Sequence, residues 1–107
     1  MKSGTVQAEG VEYRWSIYRQ PRWTGTGLLL GLAILVKAAK SKGRELVLEF
    51  AIDPTRHGDM PQHQRIRVSN RRLIECIQNA RNSGWDPDTR GKYFFFDAGP
   101  VNPSQLH

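Results

Sequence analysis

The sequence predicts an α+β domain: an antiparallel sheet of about four to six strands with one helix, residues 70–82, packed on one face. Three observations support this. Several segments alternate apolar and polar residues, as half-buried strands do. The longest apolar run, GLLLGLAILV, is followed across a basic turn by a second alternating segment. One stretch with helical spacing comes after these strands, which favours α+β over alternating βαβ units.

Length and composition fit one folded unit. A chain of 107 residues with 38% hydrophobic residues is long enough to bury a core, so we expect a single domain spanning residues 1–107. Sixteen Lys and Arg against ten Asp and Glu give a net charge of +6. This basic balance favours anionic partners, although it also keeps small proteins soluble.

The amino-terminal segment leads into the first clear strand. We expect residues 1–10 to begin as a loose arm in which 5–8 can pair as a short edge strand. In the next segment, VEYRWSIYR, alternation puts Val11, Tyr13, Trp15 and Ile17 on one face, which is typical of a half-buried strand. Pro21 ends it because proline cannot donate to the ladder. RWTGTG (22–27) is rich in turn residues and predicts a flexible connection.

Residues 27–52 are interpreted as a β-hairpin at the centre of the sheet. Residues 28–42 can also be read as a buried helix ending at Gly43, because periodicity does not decide an all-apolar run. Gly27 and Gly31 weaken the helix reading, and KSKGR suits a hairpin turn. We therefore predict two strands, with small residues at Gly31 and Ala33 that allow the helix or another chain to approach closely.

A polar loop precedes the helix. Residues 53–64 contain two prolines and a glycine, and long loops in compact domains often carry function. Residues 65–68 are expected to add a short strand. Ser69 suits the N-cap, Leu73, Ile74, Ile77 and Ala80 form the apolar stripe, and Gly84 with Trp85 suits a Schellman end.

The last strand is predicted over residues 92–97, with 98–107 as a flexible carboxyl-terminal tail. Both faces of this strand are aromatic, so it should lie inside the sheet or carry a partner. One helix covers only one face of such a sheet. The uncovered face is therefore where function or self-association is expected.

One candidate function is nucleic-acid binding. Aromatic rings stack on bases while Arg and Lys neutralise phosphates, and a helix N-terminus favours anions. The alternative is that these residues belong to the core or to ordinary solvated surface, since no recognised nucleic-acid-binding motif is present. The residues proposed for this role are Arg14, Arg22, Trp23, Arg65, Arg67, Arg71 and Arg72.

Metal binding and catalysis are weaker hypotheses. Asp53, His57, Asp59 and His63 carry ligand types that suit divalent ions, but a polar loop collects such residues by chance. Cys76 lies mid-helix beside the apolar stripe, where a small buried residue is expected. We predict no enzyme activity, no cofactor and no small-molecule substrate.

Cysteine content and hydropathy bear on the compartment. Cys76 is the only cysteine, so no intramolecular disulfide forms, which fits a reducing compartment. The ten-residue apolar run at 27–36 is about half the length of roughly 20 residues that a bilayer requires. We therefore predict a cytoplasmic protein that does not enter a membrane.

The sequence thus predicts a small non-enzymatic binding domain that acts on another protein or on itself through the uncovered sheet face. Nucleic-acid binding is the alternative. Four further residues are candidates for the interaction surface, namely Tyr18, Trp85, Arg90 and Lys92. For Trp85 the competing interpretation is that it packs under the helix end.

Overall fold

The structure is a computed structural model that describes residues 3–23, 25–27, 29–40, 43–51 and 68–100. The described residues form an open sheet with a single helix, which confirms the predicted α+β class. In chain order the elements are β1 (Ser3–Ala8), β2 (Val11–Arg19), β3 (Arg22–Trp23), β4 (Leu29–Leu30), β5 (Leu32–Ala38), β6 (Leu46–Ala51), α1 (Asn70–Asn82) and β7 (Phe94–Pro100).

The main sheet has five strands in the order β1-β2-β5-β6-β7. The pairs β1–β2, β2–β5 and β5–β6 are antiparallel, whereas β7 pairs parallel to β6. Strands β3 and β4 form a separate two-stranded ladder. The sheet is therefore mostly antiparallel, and the wholly antiparallel sheet predicted from the sequence is corrected at β7.

The connection between β6 and β7 explains the parallel pair. The chain leaves the end of β6, passes through α1, and re-enters the sheet beside the start of β6, with Phe94 opposite Leu46. Two strands joined by such a crossover run in the same direction. One β-α-β unit is thus built onto an otherwise antiparallel sheet, which the order of strands before a single helix did not reveal.

The central hairpin is confirmed, and the alternative helix over 28–42 is wrong. β5 and β6 are paired from Leu32 opposite Phe50 to Val36 opposite Leu46. Gly31 lies so close to the Phe50 carbonyl that a Cβ atom would collide with it. The absence of a side chain at Gly31 therefore allows the backbone of β6 to approach closely. The sequence-based expectation was that the helix or another chain would approach there.

The helix has the predicted bounds and caps. The Ser69 hydroxyl accepts from the Arg72 N–H at 3.2 Å at the start. At the end, the Trp85 N–H donates to the Ala80 carbonyl and the Gly84 N–H to the Arg81 carbonyl, which is the Schellman pattern. Gly84 has φ of +118°, a conformation that favours glycine.

Both edge strands are longer than expected. β1 begins at Ser3, two residues before the edge strand predicted over 5–8, and pairs with β2 along its whole length. Most of the segment 1–10, which was expected to be a loose arm, is therefore part of the sheet. β7 runs to Pro100 and includes 98–100, which were assigned to the tail, because its register with β6 continues to Ala51. The final residues, 101–107, lie outside the described part of the chain.

The core lies between α1 and one face of the sheet. Alternate residues of β5 and β6, including Ile34, Val36 and Leu48, are at most 2% exposed and pack with Leu73 and Ile77 of the helix. Burial of a side chain of this size stabilises the fold by about 1.5–3 kcal/mol. The helix thus covers one face of the sheet, and among the described residues no helix lies on the other face.

Candidate interaction surface on the open sheet face

The face opposite α1, called here the open face, is defined by the strand register. Ser16, Leu35, Val47 and Phe95 are opposite one another on β2, β5, β6 and β7. Their neighbours along the strands, such as Ile34 and Leu48, belong to the core under the helix. Because successive side chains point to opposite faces, this central row lies on the open face.

Three aromatic side chains dominate this face and are called here the aromatic ridge: Tyr18, Tyr93 and Phe95. They are 47%, 40% and 59% exposed and are the large hydrophobic residues most open to solvent in the described part of the chain. The Tyr93 ring contacts both others, with centroid distances of 5.9 Å to Tyr18 and 6.4 Å to Phe95. The ridge is therefore one connected surface.

The ridge crosses the sheet. β5 and β6 lie between β2, which carries Tyr18, and β7, which Tyr93 precedes. Three strand spacings amount to about 14 Å, so the two rings meet only by reaching across the face above β5 and β6. The register of β2 and β5 shifts between Ile17 and Arg19, which marks a bulge at Tyr18. A bulge re-aims a side chain in this way.

Charged residues of both signs flank the ridge. Arg14 is opposite Lys37 on β2 and β5, and Glu49 is opposite Asp97 on β6 and β7. By alternation from the core residues beside them, all four belong to the open face. The same alternation places Glu12 beside Arg14 and Glu45 beside Lys37 on the open face, so charges of both signs surround an aromatic centre.

The predicted arginines at the helix N-terminus do not form an open anion site. Arg72 donates from Nη2 to the Ala98 carbonyl at 2.6 Å, which ties α1 to β7. The Arg71 side chain is 92% exposed and lies 4.0 Å from Glu75, an i,i+4 ion pair. Arg14 lies on the other side of the sheet from both. The structure therefore separates residues that the sequence grouped by charge.

The other sequence candidates divide between surface and core. Arg90 and Lys92 are exposed, and the Lys92 carbonyl accepts from Arg44 Nε at 2.7 Å. Arg22 is exposed on the small β3–β4 ladder, where the Trp23 backbone pairs with Leu29. The side chains of Arg22, Arg90 and Lys92 are not part of the aromatic ridge.

Trp85 is corrected from an interaction candidate to a core residue. It is 2% exposed, and its indole Nε1–H donates to the Arg44 carbonyl at 3.0 Å. Its ring centroid lies 5.9 Å from that of Tyr13, whose hydroxyl accepts from Arg81 Nη1 at 2.8 Å. The competing prediction, that Trp85 packs under the helix end, is the one the structure bears out.

The loop candidates, Asp53, His57, Asp59, His63, Arg65 and Arg67, lie outside the described residues. Within residues 3–23, 25–27, 29–40, 43–51 and 68–100, no three His, Cys, Asp or Glu side chains are grouped closely enough to hold a metal ion. Cys76 is 3% exposed, and its burial raises the pKa of the thiol, with Arg72 opposing and Glu75 adding to the effect. A buried protonated thiol is a poor nucleophile.

Comparison with protein-family models, with curated proteins and with solved structures gave no match. None of the helices in the described part of the chain is long and apolar enough to cross a membrane.

Proposed function

We propose that this protein is a non-enzymatic interaction domain that binds a protein partner, or a second copy of itself, through the open face. The exposed aromatic ridge is the observation that carries the proposal. Aromatic residues are enriched at the centres of protein interfaces, where they bury large areas at low conformational cost. Phe95, at 59% exposed, has no polar group to justify its position in water.

The surroundings of the ridge also fit a protein interface. Tyr18 and Tyr93 each combine an apolar ring with a hydroxyl group, which suits a surface that is wet when free and buried when bound. The charged residues of the open face lie around the ridge, as a polar rim surrounds an apolar centre. Binding at this face would remove the ridge from solvent without disturbing the core on the opposite side.

Nucleic-acid binding is the second candidate, and the net charge of +6 favours it. The open face itself favours it less, because Glu49 and Asp97 lie on the same surface as Arg14 and Lys37. Carboxylates repel the phosphates that supply most nucleic-acid affinity. If oligonucleotides bind at low salt and Arg14→Glu with Lys37→Glu weakens that binding more than Arg71→Glu with Arg90→Glu does, the second candidate replaces the first.

The experiment is site-specific photo-crosslinking in cells of the native host. A photoreactive phenylalanine analogue replaces Phe95 on the ridge or, as the control, Asn79 on the exposed side of α1. The proposal expects a discrete protein adduct from position 95 that is absent from position 79. The same pattern from both positions, or no protein adduct from position 95, would contradict it.

A further inference from the structure

The two edges of the main sheet differ in how well they are protected against the addition of another strand. At one edge, the register of β7 with β6 shifts once, and β7 ends at Pro100, which has no N–H to donate. The Arg72 guanidinium binds the Ala98 carbonyl, and the Asp97 carboxylate accepts from the Gly99 N–H. Bulges, prolines and occupied backbone groups of this kind block strand addition.

β1, at the opposite edge, lacks such protection within the described residues. Its sequence, SGTVQA, has no proline and no charged residue, and its register with β2 continues without a shift from Ser3 to Ala8. Natural proteins commonly protect sheet edges with lysines, prolines or bulges, because an open edge is a template for pairing with another chain. The difference between the two edges therefore favours an added strand at β1.

The outer side of β1 offers a row of backbone groups. In an antiparallel pair, the N–H and C=O groups of every second residue point away from the partner strand. β1 pairs with β2 alone among the described strands, and no hydrogen bond between residues 3–8 and the rest of the described chain lies outside this ladder. An added strand therefore finds donors and acceptors along the whole length of β1.

The side chains of β1 define what kind of strand fits beside it. Val6 and Ala8 are each 5% exposed and belong to the core on the α1 side. The alternate residues, Ser3, Thr5 and Gln7, are exposed on the open face. A strand that extends this sheet needs small or apolar residues on the α1 side and polar residues on the other. β1 itself has this pattern.

Two copies of β1 can pair with both patterns in register. A two-fold axis perpendicular to the sheet runs the second β1 antiparallel to the first and keeps each face on its own side. With the axis at Val6, this residue lies opposite its own copy, and Gly4 lies opposite Ala8 on the α1 side. Thr5 then lies opposite Gln7 on the open face. Because β1 has no charged residue, no like charges oppose each other across this contact.

We propose that a second copy of this chain occupies the β1 edge, and that antiparallel β1–β1 pairing joins the two five-stranded sheets into one continuous sheet. Any extended segment can bond the backbone of β1, but the second copy brings a strand that is neutral, unprotected and matched on both faces. The protected β7 edge confines this association to a closed isologous pair, because a β1-to-β7 contact would continue into an open filament. The inference goes beyond the proposed function, because the β1 edge is separate from the aromatic ridge.

The direct test combines sedimentation velocity with amide hydrogen exchange at low and high protein concentration. The wild type should form dimers at concentrations up to about 1 mM. In these dimers, exchange should slow at every second amide of β1, because the outward N–H groups gain hydrogen bonds to the second copy. The amides of β7, at the protected edge, are the internal control and should exchange at the same rate at both concentrations.

Charged substitutions on β1 test the register of the pair. In Thr5→Lys with Gln7→Lys, lysines lie directly opposite each other twice across the dimer, so the dissociation constant should rise about tenfold over wild type. In Thr5→Glu with Gln7→Lys, the same positions carry opposite charges, and the dissociation constant should fall by about two- to thirtyfold. Position 5 faces Arg14 and position 7 faces Glu12 on β2, so the second variant also suits the pairing within each copy.

The matched control for the double-lysine variant is Asn79→Lys with Asn82→Lys, which adds the same charge on the exposed side of α1 and should dimerise like wild type. Because the new lysine at position 5 faces Arg14, thermal melts check that the double-lysine variant folds. If it does not fold, the variant with opposite charges and the hydrogen exchange of the wild type decide.

The inference is overturned if the wild type stays monomeric up to about 1 mM, or if dimerisation leaves exchange at the β1 amides unchanged. It is also overturned if the folded double-lysine variant dimerises as well as its control, or if opposite charges do not tighten the dimer. A dimer that is lost in Phe95→Asp and unaffected by the β1 substitutions would exclude edge pairing and support the open face instead. A β1 dimer without a position-95 adduct would keep this inference and remove the proposed function.

Discussion

The rings of Tyr18 and Tyr93 meet edge to face, with centroids 5.9 Å apart and planes at 87°, although two strands lie between the segments that carry them. This contact turns scattered aromatic residues into one surface. Both tyrosines remain partly open to solvent, at 47% and 40% exposed, so the joined rings present a continuous aromatic surface.

The Tyr18–Tyr93 contact should be measurable as a coupling energy. Replacing both residues by Ala in a double-mutant cycle should give a coupling of about 0.5–1.5 kcal/mol in the free energy of unfolding, as expected for an edge-to-face pair. Urea denaturation of dilute protein measures it. As a control, Tyr18→Ala combined with Tyr13→Phe, on the opposite face, should be additive. Additivity of the tyrosine pair itself would mean that the ridge is not a unit.

Arg72 and Arg71 should differ sharply although they are adjacent. Arg72→Ala removes the hydrogen bond to the Ala98 carbonyl and should cost about 1.5–3 kcal/mol of unfolding free energy, the range for a bond with one charged partner. Arg71→Ala removes an exposed ion pair and should cost no more than about 0.5 kcal/mol. Denaturant midpoints compare the two. Equal losses would show that Arg72 does not secure α1 to β7.

Gly31 should not tolerate a side chain. In Gly31→Ala the new Cβ meets the Phe50 carbonyl, so the β5–β6 ladder must shift, and we expect a loss of about 1–3 kcal/mol. Gly25 has no neighbouring atom within 4 Å of such a Cβ, and Gly25→Ala should stay within about 0.5 kcal/mol of wild type. Thermal unfolding distinguishes them. Tolerance of Ala at position 31 would contradict the register of the hairpin.

Cys76 should link stability to alkaline pH. Burial raises the pKa of its thiol above the ordinary value of 9.0, so the folded state holds the proton more tightly than the unfolded state. The resulting stability is fully present below pH 9.0 and is lost as the pH rises through the raised pKa. Unfolding free energy should therefore fall above this pH, and less steeply in Cys76→Ala. A decline of the same slope in both proteins would exclude the thiol as its source.

The helix and its ends were predictable because their determinants are local. A serine before the first turn, an apolar stripe at helical spacing and a Gly-Trp pair after the last turn lie within 17 consecutive residues, 69–85. The alternation that predicts strands is equally local, and in β7 it matches the structure, where Phe94 packs against the core and Phe95 is exposed. The hairpin could be predicted because its second segment alternates clearly as a strand, and a strand must pair with a neighbouring strand.

The rest depends on long-range pairing. The parallel register of β7 is decided by the path of the chain between β6 and β7, which alternation does not encode. The contact between Tyr18 and Tyr93 depends on a bulge in β2 and on the order of the strands in the sheet. For Arg72 the sequence-based prediction was wrong in another way. Its charge suggested an anion-binding site, whereas its guanidinium donates to the Ala98 carbonyl and joins α1 to β7.

We propose that the open face is covered when the protein functions. The most direct measurement is the rate at which a thiol reagent labels Phe95→Cys, with Asn79→Cys as the exposed control and buried Cys76 as a slow background. The rates are compared between dilute purified protein and the native host extract or concentrated protein. We predict that labelling slows at position 95 and not at position 79. Equal rates at position 95 under all conditions would contradict the claim.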